Sequence, residues 1–121
     1  MKHIVICSLV ILFISCSQNE NLSPTETAKV VAESFYHGDE ATLKKHTTEE
    51  GYANLSSIQE MFAQDKSSDS NFKIVDESME EKVAWIKYST DYDPKPGVFK
   101  LVQEDGQWKV THNGPRERGP F

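Results

Sequence analysis

The hydrophobic period changes once along this chain, and that change constrains its architecture most. Ala28, Val31, Ala32 and Phe35, and later Tyr52, Leu55, Ile58 and Phe62, recur three and four residues apart. This is the stripe of amphipathic helices. From Phe72 onward apolar and polar residues alternate, and 82–90, 98–103 and 107–111 are rich in β-branched and aromatic side chains, as half-buried strands require. The polar stretch 64–71 between the two textures reads as a loop. Helices followed by strands, without alternation, predict an α+β fold in which three helices precede an antiparallel meander of four strands. At 121 residues the chain holds a single domain.

Local signals sharpen this outline. Ser23 is a helix N-cap, Pro24 suits the first helical position and Glu26 completes a capping box. Gly38 ends that helix, and Asp39 caps a short one over 40–46 that buries Ala41 and Leu43. A third begins near Thr48, where Gly51 weakens the first turn. Asp91 to Gly97 holds two prolines and a glycine and reads as a connection rather than a strand. Asp105-Gly106 between two alternating runs predicts a type I′ hairpin. That turn pairs Glu104 with Gln107, Leu101 with Val110 and Phe99 with His112. Phe99, Leu101, Trp108, Val110 and His112 then share a buried face, with Lys100 and Lys109 on the wetter one.

The N-terminus carries an address. Met1-Lys2-His3 precedes an apolar run over 4–14, broken only by Ser8. As a helix the run spans about 16 Å, roughly half the ~30 Å of a hydrocarbon core. These are signal-peptide proportions. Its end, Phe13-Ile14-Ser15-Cys16, resembles the lipobox of bacterial lipoproteins. The resemblance implies lipid attachment at Cys16 and cleavage after Ser15. Cys7 would leave with the signal, so no disulfide and no cysteine metal site would remain. The chain thus divides into a lipoprotein signal peptide over 1–15, a polar tether over 16–22, one domain over 23–112 and a flexible tail over 113–121. The expected location is the bacterial cell envelope, anchored to a membrane by the N-terminal lipid, at the outer membrane in a Gram-negative source. The formal charge is −6 and arginine occurs only at Arg116 and Arg118, which argues against nucleic acid as a partner.

Phe35 to Asp39 (Phe-Tyr-x-Gly-Asp), Ala41 to Thr48 (Ala-x-x-x-Lys-x-x-Thr) and Glu104 to Val110 (Glu-Asp-Gly-x-Trp-Lys-Val) together resemble small bacterial lipoprotein domains of the nuclear-transport-factor-2-like superfamily, with its cystatin-like fold. The resemblance implies a curved sheet wrapped around a long helix to form a cone with an apolar interior. Such cones serve isomerases, cyclases, ligand binders and association modules, so the fold does not choose among them.

The candidate ligand pocket is a set of interior aromatic and rim residues, Trp85, Tyr88, Phe99 and His112. His112 is the best-placed imidazole for acid–base work, although a solvated strand end is favoured for it. His37 complements a helix C-terminus. His46 with Glu49 and Glu50 has helical ligand spacing, but the cap at Thr48 interrupts it. Asp91-x-Asp93 reads as a solvated bend, and Asp76 as a solvated strand-end carboxylate. No metal, no cofactor and no catalytic set is expected. A membrane-anchored, non-catalytic binding or interaction module is favoured, taking a small apolar ligand or a protein partner. The alternatives are an isomerase- or cyclase-type enzyme using the cone interior, and a structural homodimerisation module.

Overall fold

Ser23 accepts a hydrogen bond on its hydroxyl from the Glu26 amide, and the Glu26 carboxylate accepts from the Ser23 amide. This reciprocal cap starts α1 (Pro24–His37), which Gly38 ends in a left-handed conformation at φ 73°. The computed structural model describes residues 22–62, 69–113 and 119–121. The expected signal peptide, Cys16, most of the expected tether and residues 114–118 of the expected tail lie outside the described residues. After α1 come α2 (Glu40–Lys45), α3 (Glu49–Phe62), β1 (Lys73–Glu80), β2 (Val83–Thr90), β3 (Asp93–Glu104) and β4 (Gln107–Thr111). The strands form one antiparallel sheet in sequence order. The fold is α+β, three helices packed on a four-stranded sheet, as the change of period predicts.

One apolar face of α1 supplies Ala28, Val31, Ala32 and Phe35 to the core. Against it pack Ala84, Ile86 and Tyr88 of β2, Phe99 and Leu101 of β3, and Val110 of β4. Leu43 of α2 is fully buried, but Ala41, expected beside it, is exposed. With only six residues, α2 turns a single narrow side inward. The segment between α2 and α3 is stapled to β4: Thr48 N–H donates to the Val110 carbonyl (2.9 Å) and Val110 N–H to that of His46 (3.0 Å). Thr48 Oγ1 also bonds Thr111 Oγ1 at 2.8 Å.

The last hairpin has the expected turn, with positive φ at Asp105 and Gly106, and the expected Leu101–Val110 and Glu104–Gln107 pairs. It is shorter than the pattern suggests. Pairing ends at Lys100–Thr111, so His112 has no strand partner and is exposed rather than held opposite Phe99. Trp108 packs on the core but is only half-buried. Trp108→Ala should therefore cost about 2 kcal/mol, roughly half of what a fully buried Trp loses. Lys109, next to it on the wetter face and paired with Glu104 at 3.7 Å, should change stability by no more than about 0.5 kcal/mol on mutation to Ala. Urea denaturation of the two variants checks the register, because equal losses would place both side chains on the wrong faces.

A larger correction concerns Asp91–Gly97. This stretch is not a connection. Only Asp91 and Tyr92 form the turn, and β3 begins at Asp93, with Thr90 opposite Asp93 and Tyr88 opposite Gly97. The prolines are tolerated because β4 pairs only with Lys100–Glu104. Among the described residues no strand pairs with the first half of β3 on that side, where proline's missing donor breaks no ladder. A bulge between the two pairs absorbs the excess residues.

Candidate functional site

Alternation along β2 and β3 turns Tyr88 and Phe99 toward the helices, with ring centroids 4.7 Å apart. Phe72 stacks on Tyr88 at 5.4 Å, with the planes 17° apart. The tip of the phenol lies across Gly97, where a Cβ would come within 2.5 Å of Tyr88 Cζ and Oη. A side chain at that position would expel the ring. From α1 come Phe35 and Tyr36, whose rings meet edge to face at 5.1 Å. Leu55, Ile58 and Phe62 approach from α3. Gln59, buried on α3, donates from Nε2 to the carbonyls of Ser34 and Phe35 and so fixes α3 against the end of α1. Together these groups leave a pocket of about 180 Å³, and among the described residues Asp93 is its one charged lining residue.

The end of the pocket is braced by a polar chain. Tyr92 packs on Tyr36 at 5.1 Å, and its hydroxyl shares a 2.8 Å hydrogen bond with His37 Nε2. Asp91 N–H donates to the Ser70 carbonyl, and Ser70 Oγ donates to Glu33 of α1 at 2.6 Å. The β2–β3 turn is thereby held against α1, which positions Asp93.

Burial raises the pKa of Tyr36, and the Asp93 carboxylate raises it further. Tyr88 is pushed up more strongly, by burial first, then by Tyr36 and Asp93. Both hydroxyls therefore stay protonated at neutral pH. A phenol harder to ionise when folded stabilises the fold below its unfolded pKa near 10, and that contribution fades as pH rises above it. Stability should fall above about pH 10, and less steeply in Tyr88→Phe. Thermal denaturation of the two proteins across pH 8–12 reads the difference.

The expected pocket set is brought together in part. Tyr88 and Phe99 line one pocket. Trp85 points to the opposite face of the sheet, under the Lys100 ammonium at 5.7 Å and against Gly119. It faces away because it pairs with Lys100, whereas Ile86 pairs with Phe99. His112 is exposed just past β4, beside a separate hollow of about 90 Å³. Asp93, expected in a solvated bend, lines the pocket once the prolines are accepted into β3. Tyr36 and Phe62 belong to the site and read in the sequence only as helix residues. A larger hollow, about 300 Å³, is an open groove on α1 and α2 beside Val30, Glu33, His37 and Asp39. It has no aromatic walls beyond the His37 ring and shares no lining residue with the aromatic pocket. His46 Nδ1 donates to the Thr42 carbonyl. Among the described residues no three His, Cys, Asp or Glu side chains gather as a metal site, and no helix is long and apolar enough to cross a membrane.

Neither a protein-family model nor a curated protein sequence matches the chain. Two solved structures resemble it. One is an NTF-2 like protein of unknown function from Silicibacter pomeroyi, at 14% identity and TM-score 0.60, over 72% of this chain and 86% of that one. The other is a provisionally named NTF2-like transpeptidase from Campylobacter jejuni, at 16% identity and TM-score 0.58, over 76% of this chain and 100% of that one. At such identities the likeness shows the fold alone: three helices on a four-stranded antiparallel sheet, NTF2-like.

Proposed function

We propose that this NTF2-like chain is a bacterial envelope lipoprotein, held to a membrane by lipid on Cys16, whose domain binds a small ligand without transforming it. The observation that carries the binding half is the character of the pocket. Its walls are aromatic and aliphatic, and its polar groups are two phenols and one carboxylate. Acid–base catalysis near neutral pH uses groups whose pKa values lie close to the working pH. Here burial moves Tyr36 and Tyr88 away from neutrality, which suits them to donating hydrogen bonds. His112, the imidazole best placed by sequence pattern for a catalytic role, is exposed and outside this pocket.

The anchoring half rests on the charged n-region, the apolar run and the Ser15-Cys16 junction. The capped start of α1 at Ser23 is compatible with a tether over 16–22, which reaches at most about 23 Å when fully extended. The domain would then work close to the bilayer. Cys16→Ala should leave uncleaved precursor and abolish metabolic labelling by a palmitate analogue, and labelling that persists would refute the anchor.

A second reading, association through the sheet, is favoured by one observation. Strand β1 is an edge strand of the described sheet that exposes Ile74, Val75 and Met79 among charged neighbours, and the unpaired backbone groups of an edge are a template for pairing. Native mass spectrometry of protein extracted from membranes tests both readings together. A diacylglyceryl mass with a bound small molecule supports the binding module. An unliganded, unlipidated dimer would replace it with the association reading.

A further inference from the structure

The geometry points to an alkylammonium headgroup as the ligand of the aromatic pocket, with Asp93 as its counter-ion and the surrounding rings as its walls. This deepens the binding-module reading and rests on it. Size comes first. Pockets for drug-sized molecules begin near ~300 Å³, so about 180 Å³ takes one headgroup and not a fused-ring body. The walls come next. Phe35, Tyr36, Phe62, Tyr88 and Phe99 all border the space, and aromatic walls attract a weakly hydrated cation.

Charge selects the sign. Among the described residues Asp93 is the one charged residue lining the pocket, and its Oδ1 accepts a hydrogen bond from the Lys95 amide at 3.0 Å. No Lys, Arg or His among the described residues forms an ion pair with it. A half-buried carboxylate such as Asp93 gains from an opposite charge brought close to it. A ligand cation supplies that charge, whereas a neutral ligand does not and an anion is repelled. The phenols register the same field, since Asp93 makes phenolate harder to form at both Tyr36 and Tyr88. A potential that opposes a negative charge there favours a positive one. The formal charge of −6 over the whole chain draws cations toward the domain.

Choline and its neutral isostere 3,3-dimethylbutan-1-ol have nearly the same shape and differ in charge. Both should be titrated by calorimetry into the full-chain protein in a non-ionic detergent. Choline is expected to bind at least tenfold more tightly, an advantage that shrinks as salt rises from about 0.05 to about 0.5 M. Asp93→Asn should erase the preference while still admitting the alcohol. Equal affinities for the two in the unaltered protein would overturn the cation assignment and leave the binding module standing. Binding of neither would overturn both. A free cation and a lipid headgroup share this chemistry, and reconstitution separates them. Weaker choline binding in phosphatidylcholine vesicles than in the non-ionic detergent identifies the headgroup as the source. Equal binding in both identifies a free cation.

Discussion

Leu101→Ala is expected to destabilise the domain by about 3–5 kcal/mol, the upper part of the range for truncating a buried leucine. Leu101 is fully buried in β3, where Ala84 on β2 and Val110 on β4 are its cross-strand neighbours. Both are smaller than leucine and both belong to the ladder, so neither can move into the space left behind. The cavity therefore persists, and its cost adds to the lost transfer energy. Domains of this size are stable by only ~5–15 kcal/mol, so the variant should show a much lower urea midpoint at nearly unchanged slope. Val102→Ala supplies the contrast. Val102 is the next residue of the same strand, half-buried on the opposite face, and its truncation should cost about 1 kcal/mol or less. Comparable losses at the two positions would mean that the helices do not cover the face carrying Leu101.

The contrast between those neighbours is legible in the sequence because the side-chain period of a strand is two and the Asp105-Gly106 turn fixes the register. The capping box at Ser23 and the stop at Gly38 are legible for a similar reason. Each is set by interactions within three or four residues. What the pattern misreads depends on distant partners. The prolines at 94 and 96 argue against a strand until it is known that β4 stops short of them. That misreading also hid Asp93, since a residue in a solvated bend cannot line a pocket. The apolar ring of Trp85 suggests the interior, while its pairing with Lys100 turns it to the other face. Its burial there comes partly from Gly119, 34 residues away along the chain. Tyr36 continues the stripe that marks α1, eight residues after Ala28, and its buried ring meets both Phe35 and Tyr92, but the helical period alone does not separate a pocket wall from the core.

Gly51 is the sharpest case of a local signal with a non-local cause. In sequence it is a helix-weakening residue, and in an exposed helix its replacement by Ala would gain about 1 kcal/mol. Here Gly51→Ala should instead destabilise the domain, by about 3 kcal/mol, at the upper end of what overpacking costs. A Cβ at this position would lie 2.4 Å from the Val110 carbonyl oxygen and 3.0 Å from Thr111 Cα. These are backbone atoms of β4, with no rotamer to escape into. The obstructed carbonyl also accepts the Thr48 amide, and the Gly51 amide donates to Thr48 Oγ1 at 3.0 Å. Making room means lifting the first turn of α3 off β4, which breaks the staple joining the helices to the last strand. The same movement would pull Leu55 and Ile58 away from the aromatic pocket, so binding should weaken along with stability. Glu60→Ala, exposed on the side of the same helix opposite Gly51, is the matched control and should be neutral or slightly stabilising. Urea midpoints of the two variants decide the matter: a Gly51→Ala protein more stable than the parent would show that α3 does not dock this closely on β4.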